Sequence, residues 1–154
     1  MDDKQQIEIY AKAKKCALGL LAIREHSSLE LKCKLAERGI DTKVIAKVLL
    51  DVNSSGFQSD ERFTEFYVKS RADRGYGPLR IEGELRDRGI TQELIRRFLD
   101  KNSDIWKGNA KKAYHKKFGS QAPSDQNEKM KRIQFLQYRG FGVEQLKEIL
   151  NSKF

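Results

Sequence analysis

The sequence predicts an all-α protein of three tandem three-helix repeats stacked into an elongated, curved array, and three observations carry that prediction. The phrase LAERGI at Leu35 returns as LRDRGI at Leu85 and LQYRGF at Leu136, so Gly39, Gly89 and Gly140 follow one another at intervals of 50 and 51 residues. A fixed period of that size is the signature of a repeat architecture. The apolar positions around each glycine share one register: Leu29, Leu79 and Met130; Leu35, Leu85 and Leu136; then Ile40, Ile90 and Phe141; Ile45, Ile95 and Leu146; Val48, Phe98 and Ile149; and Leu49, Leu99 and Leu150. Only 2 of 154 residues are Pro, and 34% are charged beside 38% hydrophobic, a balance that suits amphipathic helices better than a sheet.

Each repeat opens with a helix whose apolar residues recur at i, i+3, i+4 and i+7. Ala13, Cys16, Ala17 and Leu20 mark it near 7–25, Phe63, Phe66, Tyr67 and Ser70 near 60–74, and Ala110, Ala113, Tyr114 and Lys117, more weakly, near 104–118. Second helices follow near 28–38, 78–88 and 126–139. Ser27 with Glu30, and Asp125 with Glu128, have the spacing of a capping box, and Pro78 suits a first helical position. Each ends on Arg38, Arg88 or Arg139, a cation where the helix dipole is negative, followed by a glycine free to take a left-handed conformation. Third helices begin after Asp41, Thr91 and, with a weaker cap, Gly142, near 42–53, 92–101 and 143–152. The third repeat has four extra residues before its second helix, placed in GSQAPSDQ, and the plainest role for GYGP at 75–78 is a connecting turn. Domain boundaries follow at 1–56, 57–101 and 102–154.

Net charge is +9, with a pI near 9.6, which favours polyanionic partners. The excess is uneven. Residues 1–56 carry ten Lys and Arg against eight acids, 57–101 ten against nine, and 102–154 eleven against five. Lys111, Lys112, Lys116 and Lys117 crowd into KKAYHKKF, while Arg71, Arg74 and Arg80 surround the glycine turn of the second repeat. These seven residues are the expected partner-binding positions; Lys supplies a point charge and Arg a planar fork for carboxylate or phosphate. Trp106 is expected to be a packing anchor.

No catalytic constellation emerges, and the chain reads as a non-enzyme without cofactor or metal. His26 and His115 are the two histidines and neither belongs to a metal-ligand spacing. Cys16 and Cys33 form no CxxC pair and are expected to be free, buried thiols in a reducing compartment. The longest apolar stretch, ALGLLAI, is too short to span a bilayer, and nothing at the N-terminus resembles a signal peptide, so a cytoplasmic protein is expected. A monomer is expected too, because the repeats can bury their stripes against one another.

LAIREHSSLELKCKLAERGI, SDERFTEFYVKSRADRGYGPLRIEGELRDRGI and KKFGSQAPSDQNEKMKRIQFLQYRGFGVEQLKEIL resemble the successive modules of the RecX family of bacterial regulatory proteins, and the resemblance covers nearly the whole chain. Its most specific part is the middle block, with an acidic residue before RF, the aromatic FYV helix, GYGP and a glycine-ended helix. Ser59 departs from the family, which often has an acidic residue there; Ser59 or Asp60 can still cap the helix. The resemblance implies tandem three-helix units that bind the RecA recombinase and the RecA–DNA filament. They would lodge in the filament groove and restrain its growth, ATP turnover, strand exchange and support of repressor self-cleavage, with at most a weak DNA contact. Two alternatives stand beside it: a direct DNA-binding helical protein, with TQELIRRFLDKN as recognition helix presenting Arg96 and Arg97, and a helical scaffold unconnected with nucleic acid.

Overall fold

The structure, a computed structural model, describes residues 2–151, so the expected helical residue 152 lies outside the described residues. Among the described residues there are nine α-helices and no strand: α1 Asp3–Ile23, α2 Ser28–Glu37, α3 Thr42–Ser54, α4 Asp60–Asp73, α5 Pro78–Asp87, α6 Gln92–Phe98, α7 Ile105–Phe118, α8 Gln126–Tyr138 and α9 Val143–Asn151. No helix is long and apolar enough to cross a membrane. The chain gathers into two compact units, one of Met1–Phe66 with Asp87–Thr91, the other of Tyr67–Arg86 with Gln92–Phe154.

In the first unit, α1, α2 and α3 close on Ala13, Ala17, Leu31, Leu35, Ile45, Val48 and Val52, all buried. Each large aliphatic side chain so placed contributes about 1.5–3 kcal/mol. Helix α1 starts earlier than its apolar stripe requires because the Asp2 side chain accepts from the Gln5 amide at 2.8 Å. The Ser27–Glu30 capping box forms in full, and Asp41 accepts from the Lys43 amide. Ser59 is the residue that caps α4, accepting from the Arg62 amide at 3.1 Å. Asp60 instead accepts from the Ser28 amide and from Gln58 Nε2, each at 2.9 Å. Gly89 takes φ +78°, as expected of a helix C-terminal glycine, and a Cβ there would meet Leu29 Cβ at 2.9 Å.

In the second unit Ile81, Leu85, Ile95, Leu99, Trp106, Ala110, Tyr114, Leu136, Phe141, Leu146 and Ile149 are buried. Ile45, Ile95 and Leu146, one from each repeat, thus all lie in core positions. Trp106 is the anchor expected, buried with its indole nitrogen donating to the Asp100 carbonyl at 2.8 Å. That bond explains why α6 stops at Phe98 and not near 101. Asp100 is committed to the turn, its carbonyl also accepting from Ser103 and its side chain from the Asn102 amide.

Three local expectations need correction. Cys33 is exposed and Cys16 only half-buried, because α2 turns Leu31 and Leu35 inward and leaves position 33 on its outer face. Phe66, on the expected stripe of α4, is 42% exposed. Asp125 accepts from the Glu128 amide, but Glu128 bonds Arg132 Nε at 3.1 Å, so only half of the second capping box is made.

Candidate partner-binding site

GYGP does more than connect. Gly75 turns the chain at φ +89°, and the Gly77 amide then donates to the Arg139 carbonyl at 2.8 Å while the Leu79 amide donates to the Gly140 carbonyl at 3.0 Å. The two backbones approach so closely that a Cβ on Gly77 would lie 2.5 Å from the Gly140 carbonyl carbon, and one on Gly140 would lie 2.4 Å from Arg80 Cβ. Only glycine fits at either position. This backbone clasp fixes the start of α5 against the end of α8.

Around the clasp the structure assembles an arginine–tyrosine cluster. Tyr76 is its centre: the guanidinium carbons of Arg71, Arg80 and Arg139 stand 3.8, 4.6 and 4.7 Å from its ring centroid. These are cation–π distances, and Arg suits them because its planar group stacks and is weakly hydrated. Glu84 orients the array, accepting from Arg71 Nε and Nη2 at 3.0 and 2.9 Å and lying 3.7 Å from Arg80 Nε. Burial works against the Arg71 charge, yet the Glu84 carboxylate more than offsets it and holds the guanidinium protonated above its usual range. Arg80 also covers the Tyr138 ring at 5.1 Å and donates to the Tyr138 carbonyl. Arg139 donates to the Arg74 carbonyl, and the Arg74 amide donates to the Arg71 carbonyl at 3.2 Å, so Arg74 joins the group through its backbone.

The expected lysines divide. Lys117 lies 5.7 Å from the Phe135 ring, which Arg139 also covers at 5.2 Å, so Lys117 continues the cationic surface. Lys111 is paired with Glu148 of α9, and Lys112 and Lys116 are exposed on α7. Arg71, Arg80 and Lys117 are therefore brought together through shared rings, and Lys111 is turned to another partner. Arg139, Tyr76 and Tyr138 join the cluster without having been expected there. In the sequence Arg139 had the register of a helix-terminal cation, and only the Gly77–Gly140 approach carries it to Tyr76.

Elsewhere the polar groups are explained by the fold. His26 is buried, with Nδ1 3.0 Å from the Arg24 carbonyl and Nε2 3.2 Å from Lys34 Nζ. The Glu82 carboxylate is matched by Arg86 at 2.7 Å and Lys101 at 2.9 Å. Among the described residues no group of three or more His, Cys, Asp or Glu is placed to hold a metal ion. Helix α6 spans seven residues, about 10 Å at the rise of an α-helix, with Ile95 buried and Arg96 and Arg97 exposed.

Comparison with known proteins gives matches along most of the chain. The models of the first, second and third three-helix domains of RecX match residues 13–50, 59–99 and 108–150. The regulatory protein RecX of Legionella pneumophila (strain Corby) is 39% identical over 141 residues, covering 92% of this chain and 94% of the relative. That of Halorhodospira halophila is 40% identical over 131 residues, covering 85% and 81%. Two crystal structures share the fold: RecX from Lactobacillus salivarius, at TM-score 0.74 and 19% identity over 94% of this chain and 96% of the other, and a regulatory protein RecX, at 0.81 and 22% over 99% and 80%.

Proposed function

Because the chain belongs to the RecX family of regulatory proteins, we propose that it binds the RecA recombinase within its DNA filament and restrains filament growth, ATP turnover, strand exchange and coprotease activity. It acts as a monomer, without catalysis of its own. The observation that carries the reading is the cluster of Arg71, Arg80 and Arg139 on Tyr76, oriented by Glu84 and held by the backbone clasp. Such forks are preorganised, so little side-chain freedom is lost when they engage an anionic surface. The three-helix domains each add contacts to a polymer of identical subunits, and linked weak contacts reinforce one another through effective concentration. Lys112, Lys116 and Lys117 supply a general attractive field, and Lys111 a contact weakened by its pairing with Glu148.

Replacing Arg80 and Arg139 together by Ala tests this. The concentration needed to halve RecA ATP hydrolysis on single-stranded DNA should rise about tenfold, the equivalent of one charge-assisted contact, while helical circular dichroism stays unchanged. Reversing Lys111, Lys112, Lys116 and Lys117 to Glu should weaken inhibition as well, since attraction becomes repulsion. A folded Arg80→Ala, Arg139→Ala protein as potent as its parent would contradict the assignment. Direct DNA binding remains the second reading, favoured by guanidinium groups interleaved with aromatic rings. It predicts that affinity for bare DNA falls in parallel with inhibition, with a shallower salt dependence.

A further inference from the structure

The repeats serve as controls for one another. Two residues before the repeat glycine stand Glu37, Asp87 and Tyr138, and three residues after it stand Thr42, Gln92 and Val143. Polar residues therefore satisfy these positions in two repeats, and only the third places apolar groups there. Neither is absorbed by the core: Tyr138 is 76% exposed and Val143 63%. They share a surface. Leu79, 53% exposed, borders Gly142 beside Val143, its Cδ1 3.2 Å from where a Gly142 Cβ would sit, and Arg80 covers the Tyr138 ring. Arg139 follows Tyr138 in the chain, and its guanidinium shares the Tyr76 ring with Arg80.

We infer that Tyr138, Val143 and Leu79, rimmed by Arg80 and Arg139, form a docking patch for an acidic protein segment that carries aliphatic side chains. Three features choose this occupant. The rim is cationic in a chain of net charge +9, which selects for acid. Two of the three apolar groups are aliphatic, and these offer a buried methyl surface but no platform for a nucleobase, which needs successive aromatic faces. A tyrosine flanked by arginines is the composition that concentrates binding energy at protein interfaces. The patch relies on the filament-regulator reading only for the identity of the protein that bears the segment.

The test uses three fluorescein-labelled probes of equal charge: a peptide of Glu-Glu-Leu repeats, one of Glu-Glu-Gly repeats, and oligo-dT. The parent should bind the leucine peptide about tenfold more tightly than the glycine peptide, the value of one or two aliphatic groups leaving water. Tyr138→Gln with Val143→Gln should abolish that preference and leave both oligo-dT affinity and the unfolding midpoint unchanged, since polar residues hold these positions in the other repeats. A parent without the preference overturns the patch. So does a double variant that keeps it, or one that loses oligo-dT binding in step, which would make the surface a nucleic-acid stack. Binding to RecA filaments, measured on the same proteins, separates the two claims: a leucine preference without filament binding removes the filament reading and leaves the patch standing.

Discussion

The stretches His26 to Lys34 and Tyr76 to Glu84 occupy the same place in their repeats, yet they use charge in opposite ways. In the first, Glu30 completes a capping box, pairs with Arg24 at 3.1 Å and lies 3.8 Å from Arg88. His26 and Lys34 complete a closed set of partners. In the second, Arg80 replaces Glu30, Glu84 replaces Lys34 and Tyr76 replaces His26. One acid then orients two arginines on a tyrosine face, and Arg139 joins them. The same helix start serves stability in one repeat and presentation of cations in the other. The difference lies in which groups are matched, since α2 and α5 begin and end at equivalent positions.

The largest effect should come from breaking the clasp that carries the second arrangement. Gly140 sits at φ +102° with Arg80 Cβ and backbone at 2.4 and 2.7 Å from an added Cβ, so Gly140→Val should cost about 4 kcal/mol, combining backbone strain with overpacking. Its counterpart Gly39 has φ +78° but open space around it, so Gly39→Ala should cost only about 1 kcal/mol. Equal losses in chemical denaturation would show that Gly140 matters for its φ alone and that the clasp adds nothing.

Next comes Glu30→Ala, which removes the side-chain half of the capping box and takes the carboxylate from Arg24. A loss of about 1–2 kcal/mol is expected, read as a lower denaturation midpoint. Arg80→Ala at the equivalent position should change stability far less. If it destabilised the protein as much, the contrast between a structural and a presenting position would disappear.

A smaller effect is the pH dependence of the first arrangement. Burial holds His26 below its ordinary range, assisted by the Arg24 and Lys34 cations against the pull of the Arg24 carbonyl and Glu30. The folded chain thus resists a proton that the unfolded chain accepts at about pH 6.5. Stability is complete above that value and falls as pH drops below it. Glu30, whose desolvation is outweighed by Arg24 and the Ser27 amide, is held below its ordinary value and adds a further loss in the acid range. His26→Asn should flatten the slope between about pH 6.5 and 5, while an unchanged slope would place the titration elsewhere.

The helices and their glycine ends were legible in the sequence because period, stripe and cap are local. Gly89 and the buried Ile45, Ile95 and Leu146 follow from register alone. The cluster was legible only in part. Arg71 and Arg80 surround a conspicuous turn, but Arg139 lies far along the chain and reaches Tyr76 through backbone bonds between Gly77, Leu79 and the end of α8. Nothing in local spacing encodes such a contact. Close approach did leave a trace, in glycines at 77 and 140 where a side chain would collide. Tyr138 and Val143 were visible as apolar substitutions in a polar register, a signal found only by reading the repeats against each other. Lys111 shows the opposite failure: its position in a basic run gave no hint of Glu148, which α9 brings beside it.

Photocross-linking is the sharpest check on the proposed contact between RecA and the surface built on Tyr76 and Tyr138. Benzoylphenylalanine in place of Tyr138, with the same residue in place of Glu37 as the equivalent position of the first repeat, would be irradiated on RecA filaments assembled on single-stranded DNA. Position 138 should give a covalent adduct with RecA, and position 37 little or none. Equal adducts from both positions, or an adduct from 138 to DNA alone, would contradict it.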